Sequence, residues 1–81
     1  MTSQNIESQV ASLYQELLSL PESFDHHAPF VQLGGQSATA ARLQIRLMQV
    51  FHLRIPFADL YRNSDVVSLS ALVASRLESE G

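Results

Sequence analysis

The chain has 81 residues, 46% of them hydrophobic, with no cysteine, no lysine and a formal net charge of −3. That describes one small domain, residues 1–81, held together by apolar burial alone, since neither disulfides nor thiolate zinc sites are available. Eight acids against five arginines give no basic stripe for nucleic acid, no apolar run reaches the length of a membrane span, and MTSQNIESQ lacks the regions of a signal peptide. The expectation is therefore a soluble cytoplasmic domain, monomeric, with an ordered core of about 5–78 and no nucleic-acid or membrane partner.

The first periodic segment is predicted from about Asn5 to Leu20. Ile6, Val10, Leu13, Tyr14 and Leu17 recur at helical spacing and mark one buried face. Thr2, Ser3 and Asn5 are all candidate N-caps. The end is set at Leu20 because a residue before proline is pushed out of the helical region, and Pro21 follows. From Pro21 to Gln36 the chain reads PESFDHHAPFVQLGGQ, without a sustained period, so it is a loop. A loop of this length in a small domain is functional or well anchored, and Phe24, Phe30 and Leu33 are the expected anchors.

A second helix is predicted over Ser37–Phe51 and stops before HLRIP, where Pro56 blocks helix at Ile55. A short helix from about Phe57 to Tyr61 follows. Asn63, Ser64 and Asp65 then supply turn chemistry, with Asp65 as N-cap of a last helix whose apolar stripe is Val66, Leu69, Leu72, Val73 and Leu77. No strand pattern, repeat or low-complexity segment is present. The fold class is all-α: a small bundle of three longer helices and one short one, with a long first loop.

The second helix has two apolar faces. At about 100° per residue, Ala40, Leu43, Leu47, Val50 and Phe51 form a core stripe, with Leu43 and Leu47 at its centre. Arg42, Gln49 and Arg46 lie opposite. Ala38, Ala41, Ile45 and Met48 form a separate band. Neighbouring helices could bury this band, or it could be a docking surface of small and flexible apolar side chains. Its start beside Ser37 favours docking. Met48 is expected to behave as surface more clearly than Ile45, and Phe57 on the short helix joins the same partner surface.

Ser37 stands where a helix N-cap is expected. Two glycines precede it. Gly34 and Gly35 can take positive φ and leave the approach to the hydroxyl open, and a helix N-terminus favours an anion beside it. The site is suited to a phosphate on Ser37. GGxS is by itself a weak string. The order FVQLGGQS, then A-x-x-L-x-x-x-L-x-x-x-F, then IPFADLY, then VVSLSALVASRL is far more specific, and it resembles a peptidyl carrier protein, the thiolation domain of nonribosomal peptide synthetases. Phe30, Leu33, Gly34, Gly35 and Ser37 match that family's F-F-x-L-G-G-x-S string, and the resemblance runs from the first helix to about Leu77.

The resemblance implies that Ser37 is the attachment point of 4′-phosphopantetheine, with Gly34 and Gly35 as part of the site. A phosphopantetheinyl transferase would donate the arm from coenzyme A with magnesium. An adenylation domain would load an aminoacyl, peptidyl or aryl group as a thioester, and condensation, tailoring or thioesterase domains would receive it, as in antibiotic or siderophore assembly. The chain would then be a carrier and not a catalyst, either free-standing or part of a synthetase. Two other functions compete: an acyl carrier of polyketide or fatty-acid assembly, and a helical interaction module that carries no arm.

The residues themselves agree that no catalytic site is present. Asp25, His26 and His27 together with Ser37 have the composition of a hydrolytic triad, but adjacent residues on a loop offer no held geometry. The two histidines lack further metal ligands, and His52 reads as a helix C-cap. Several positions depart from the family. Val31 replaces the second Phe and should anchor less tightly. Ala38 and Thr39 stand where leucine is common after the serine, which puts partner choice in doubt. Gln36 replaces the Asp usual in fatty-acid and polyketide carriers and favours the peptidyl branch. Ser64-Asp65 replaces a Pro-Thr pair, and His52 replaces a glycine.

Overall fold

The computed structural model describes residues 3–80 and contains four helices: α1 Ser3–Leu18, α2 Ser37–Phe51, α3 Phe57–Arg62 and α4 Val66–Glu80. α1 packs most extensively on α4 and also on α2, while α3 leans on α2. Among the described residues there is no strand, and no helix is long and apolar enough to cross a membrane.

The core is built from the expected faces. α1 buries Ile6, Val10, Leu13 and Tyr14, α2 buries Ala40, Leu43, Leu47 and Phe51, and α4 buries Val66, Leu69 and Val73. Leu17, Leu72 and Leu77 are half-buried against this core. Val50 is the exception on α2: it is 38% exposed, because the stripe narrows towards the helix end and Phe51 alone turns inward there.

α1 ends two residues earlier than Leu20. Ser19 takes the left-handed conformation at φ 54°, and the Leu20 N–H donates back to the Gln15 carbonyl at 3.2 Å. That bond closes the helix before the restriction imposed by Pro21 can act. Ser3 and Asn5 fall inside α1, so neither is its N-cap, and Thr2 lies outside the described residues. Asp65 does cap α4: its Oδ2 accepts from the Ser68 N–H at 2.9 Å. Burial works against the charged carboxylate, but the bonds from the Ser68 N–H and hydroxyl, its own N–H and the nearby His27 outweigh it. The Asp65 carboxyl is held below its usual range.

The long first loop is pinned at three places. Phe30 is buried, and Phe24 and Leu33 pack half-buried against the core. Tyr14 meets both rings, stacked on Phe24 at 6.4 Å and edge-on to Phe30 at 5.5 Å. Its hydroxyl donates to the Ser64 carbonyl at 2.6 Å, tying α1 to the turn before α4. Burial, and secondarily Asp65, push the Tyr14 phenol above its ordinary range, so it stays a donor. Further along, His26 lies 2.8 Å from a Glu7 carboxylate oxygen and accepts from the Val67 N–H through its carbonyl at 3.3 Å. Val31 is 69% exposed and anchors nothing. It follows Phe30 directly, and the turn that buries one residue sends the next to solvent.

Candidate functional site

The segment before α2 is wound tightly around Phe30. The Leu33 and Gly35 N–H groups both donate to the Phe30 carbonyl, at 3.1 and 2.9 Å, and the Gly34 N–H donates to the Val31 carbonyl at 3.1 Å. This winding needs glycine twice, for different reasons. Gly34 has φ +95°, which side-chain-bearing residues rarely adopt. Gly35 is not in that region. Its constraint is space, since a Cβ there would overlap three ring carbons of Phe30. The expectation of positive φ at both glycines therefore holds for Gly34 alone.

This turn delivers Gln36 and Ser37 to the helix start. Gln36, in extended conformation, is the N-cap residue, and its carbonyl accepts the Ala40 N–H at 2.8 Å. Ser37 is therefore the first helical residue and not the cap. The reason is geometric: the turn ends at Gly35, one residue sooner than a cap at Ser37 requires. Gln36 makes no side-chain cap bond, and the first turn of α2 contains no acidic residue. The N–H groups of Ser37, Ala38 and Thr39 have no intrahelical acceptor, as at any helix start. Ser37 is exposed and sits beside these donors.

An anion fits such a place, and a phosphodiester on Ser37 would find backbone donors, a favourable helix dipole and no acidic residue in the first turn of α2. Asp25 and His26 make their side-chain bonds elsewhere than to Ser37. His26 is engaged with Glu7, and Asp25 accepts from the His27 N–H at 2.9 Å. Among the described residues, no group of three or more His, Cys, Asp and Glu side chains could hold a metal.

The second apolar band of α2 lies on the surface. Ala38 is exposed, Ala41 half-buried, Ile45 57% and Met48 39% exposed. The band is thus not core. The expected ranking is reversed: by helical angle Ile45 lies nearly opposite the core stripe, while Met48 lies closer to the edge of that stripe. Gln44, Ile45, Met48, Gln49 and Arg54 line a shallow groove of about 440 Å³. The Gln44 side-chain amide donates to the Ile55 carbonyl at 2.8 Å and fixes the α2–α3 connection beside that groove. Phe57 is 41% exposed and stacks on Tyr61, itself 53% exposed, at 6.3 Å. Sequence reasoning did not place Tyr61 on this face. Its position four residues after Phe57 was the available signal, since i and i+4 share a helix face.

Comparisons with known proteins place the chain in a family. Residues 8–73 match the family described as the phosphopantetheine attachment site. The chain is 30% identical over 74 residues to a hybrid PKS-NRPS synthetase of Botryobasidium botryosum, covering 91% of this chain and 4% of that protein. It is 32% identical over 75 residues to a linear gramicidin synthase polypeptide of Brevibacillus parabrevis, covering 93% of this chain and 1% of that protein. The chain thus spans a small fraction of the length of these relatives. A solution structure of an active-site mutant peptidyl carrier protein shares the fold, with a TM-score of 0.83 at 20% identity over 90% of this chain and 80% of that one.

Proposed function

We propose, for a chain that belongs to the phosphopantetheine attachment-site family, that it is a thiolation domain of nonribosomal peptide assembly and that Ser37 bears its arm. 4′-Phosphopantetheine is the cofactor of this family. The observation that carries the choice of residue is an exposed Ser37 at the first position of α2, beside free backbone donors and behind a turn shaped by Gly34 and Gly35. When attached, the arm supplies a terminal thiol that holds acyl groups as thioesters.

On this reading the protein's own residues do positional work. Phe30, Gly34 and Gly35 hold the backbone that presents Ser37. The helix start stabilises the phosphodiester charge. Ala38, Ala41, Ile45, Met48 and Phe57 form the surface that partner enzymes meet. Those partners are a phosphopantetheinyl transferase, an adenylation domain, and condensation, tailoring or thioesterase domains. The chain acts as a non-catalytic, monomeric, cytoplasmic carrier domain spanning residues 1–81. The names of the relatives, a linear gramicidin synthase and a hybrid PKS-NRPS synthetase, support assembly-line chemistry of this kind.

Incubation with coenzyme A, magnesium and a broad-specificity phosphopantetheinyl transferase, followed by intact-mass measurement, tests carriage of the arm. Loading then separates the branches. Acylation by an adenylation domain with ATP supports the peptidyl assignment, and acylation only by an acyltransferase from an acyl-coenzyme A moves the chain to the polyketide branch.

A further inference from the structure

The net charge of −3 hides a strong separation of sign along the chain. Residues 37–64 hold four arginines and one aspartate, whereas the remainder holds one arginine and seven acids. The part containing α2 and α3 is therefore net +3 and the rest is net −6. The one acid of this part, Asp59, is already engaged, accepting from the Arg76 guanidinium of α4 at 2.8 Å. Arg46 is likewise paired with Glu16 of α1. Arg42, Arg54 and Arg62 are exposed and have no ion-pair partner among the described residues.

Two of these arginines border the exposed apolar band. Arg54 lines the groove together with Ile45 and Met48. Arg42 precedes Ile45 by three residues and follows Ala38 by four, which places it beside both, at the polar edge of the band. No carboxylate lines the groove. The complement of an apolar centre with a cationic rim is an apolar cleft bordered by carboxylates.

Building on the carrier reading, we propose that the α2–α3 face selects protein partners whose apolar cleft has an acidic rim, with Arg42 and Arg54 as the selecting pair. The apolar centre supplies contact area. The two guanidinium groups steer approach and fix orientation, so their removal weakens encounter and leaves the chemistry at Ser37 unaltered. A partner with a basic rim is repelled by the same pair.

The test uses the 81-residue chain as substrate of a purified broad-specificity phosphopantetheinyl transferase, with coenzyme A and magnesium, at about 0.05 and about 0.5 M sodium chloride, salt levels that leave charge steering strong and screened respectively. For the R42E/R54E variant the expected result is a KM raised about tenfold or more at low salt with kcat within about twofold. High salt raises the KM of the wild type and lowers that of the variant. R42Q/R54Q, which removes charge without reversing it, should fall between them and guards against a folding defect in the reversed pair. Lysine substitutions at carboxylates on the rim of the transferase cleft should restore R42E/R54E.

Equal KM values for all three proteins at both salts overturn the proposal while leaving the carrier reading intact, because the mass gain is still observed. A wild-type chain that gains no mass overturns both. Arginine-dependent binding to phosphatidylglycerol-containing vesicles, with an unchanged KM for the transferase, also overturns it and assigns the pair to a lipid surface.

Discussion

The ring of Phe30 fills the space into which a side chain on Gly35 would project. The same Gly35 donates its N–H to the Phe30 carbonyl, so the two residues are locked together from both sides. Ser37 begins α2 two residues later, and its position follows from that contact.

Gly35→Ala is expected to destabilise the domain by about 1–3 kcal/mol, because the added methyl must displace a buried ring. Gly34→Ala is strained for a different reason, its φ of +95°. Denaturant unfolding of both variants checks this. An alanine at Gly35 that unfolds like the wild type would mean that Phe30 is not packed as described.

His52 should be improvable. It ends α2 in the left-handed conformation, φ 58° and ψ 34°, with its N–H donating to the Met48 carbonyl at 2.9 Å, and its side chain is exposed. A glycine there relieves a strain of about 1 kcal/mol, so His52→Gly should raise the melting temperature by several degrees. A lower melting temperature contradicts the argument.

Asp65 makes α4 sensitive to acid. Its folded carboxyl titrates below the unfolded one, so its contribution is fully present above the ordinary carboxylate range near about pH 4. The contribution fades as pH falls through the folded value. Asp65→Ala should cost about 0.5–2 kcal/mol at neutral pH and flatten the dependence of stability on pH below about 4. An unchanged acid transition in the variant would remove Asp65 from this role.

Much of this was legible in the sequence. The bounds of α2, the short α3, the capping by Asp65 and the burial of Leu43 and Leu47 all follow from period and cap chemistry, which act locally. What was not legible depends on contacts distant in sequence. The Tyr14 hydroxyl reaches Ser64 across fifty positions, and no local pattern announces it. The N-cap moved from Ser37 to Gln36 because Phe30 packing ends the turn early. Ser19 closes α1 with a left-handed residue that a search for glycine passes over. Val31 and Val50 look like core by composition and lie outside it by geometry.

The surface band gives a sharper expectation now that its exposure is known. Ile45→Glu and Met48→Glu should each melt within a few degrees of the wild type, since neither side chain is buried. Both should slow modification or loading, with Ile45 the more sensitive, because a charge in an apolar contact is costly to desolvate. Loss of the melt in either variant would return the band to the core.

Ser37→Ala tests the central claim most directly. Ser37 is exposed and is not the cap of α2, so the alanine variant should fold with a stability within about 0.5 kcal/mol of the wild type. The measurement is intact mass, followed by peptide mapping, after incubation with transferase, coenzyme A and magnesium. The wild type should gain a single phosphopantetheinyl group mapped to Ser37, and the alanine variant should gain none. A folded alanine variant that still acquires the group, or a wild type that never does, contradicts the assignment.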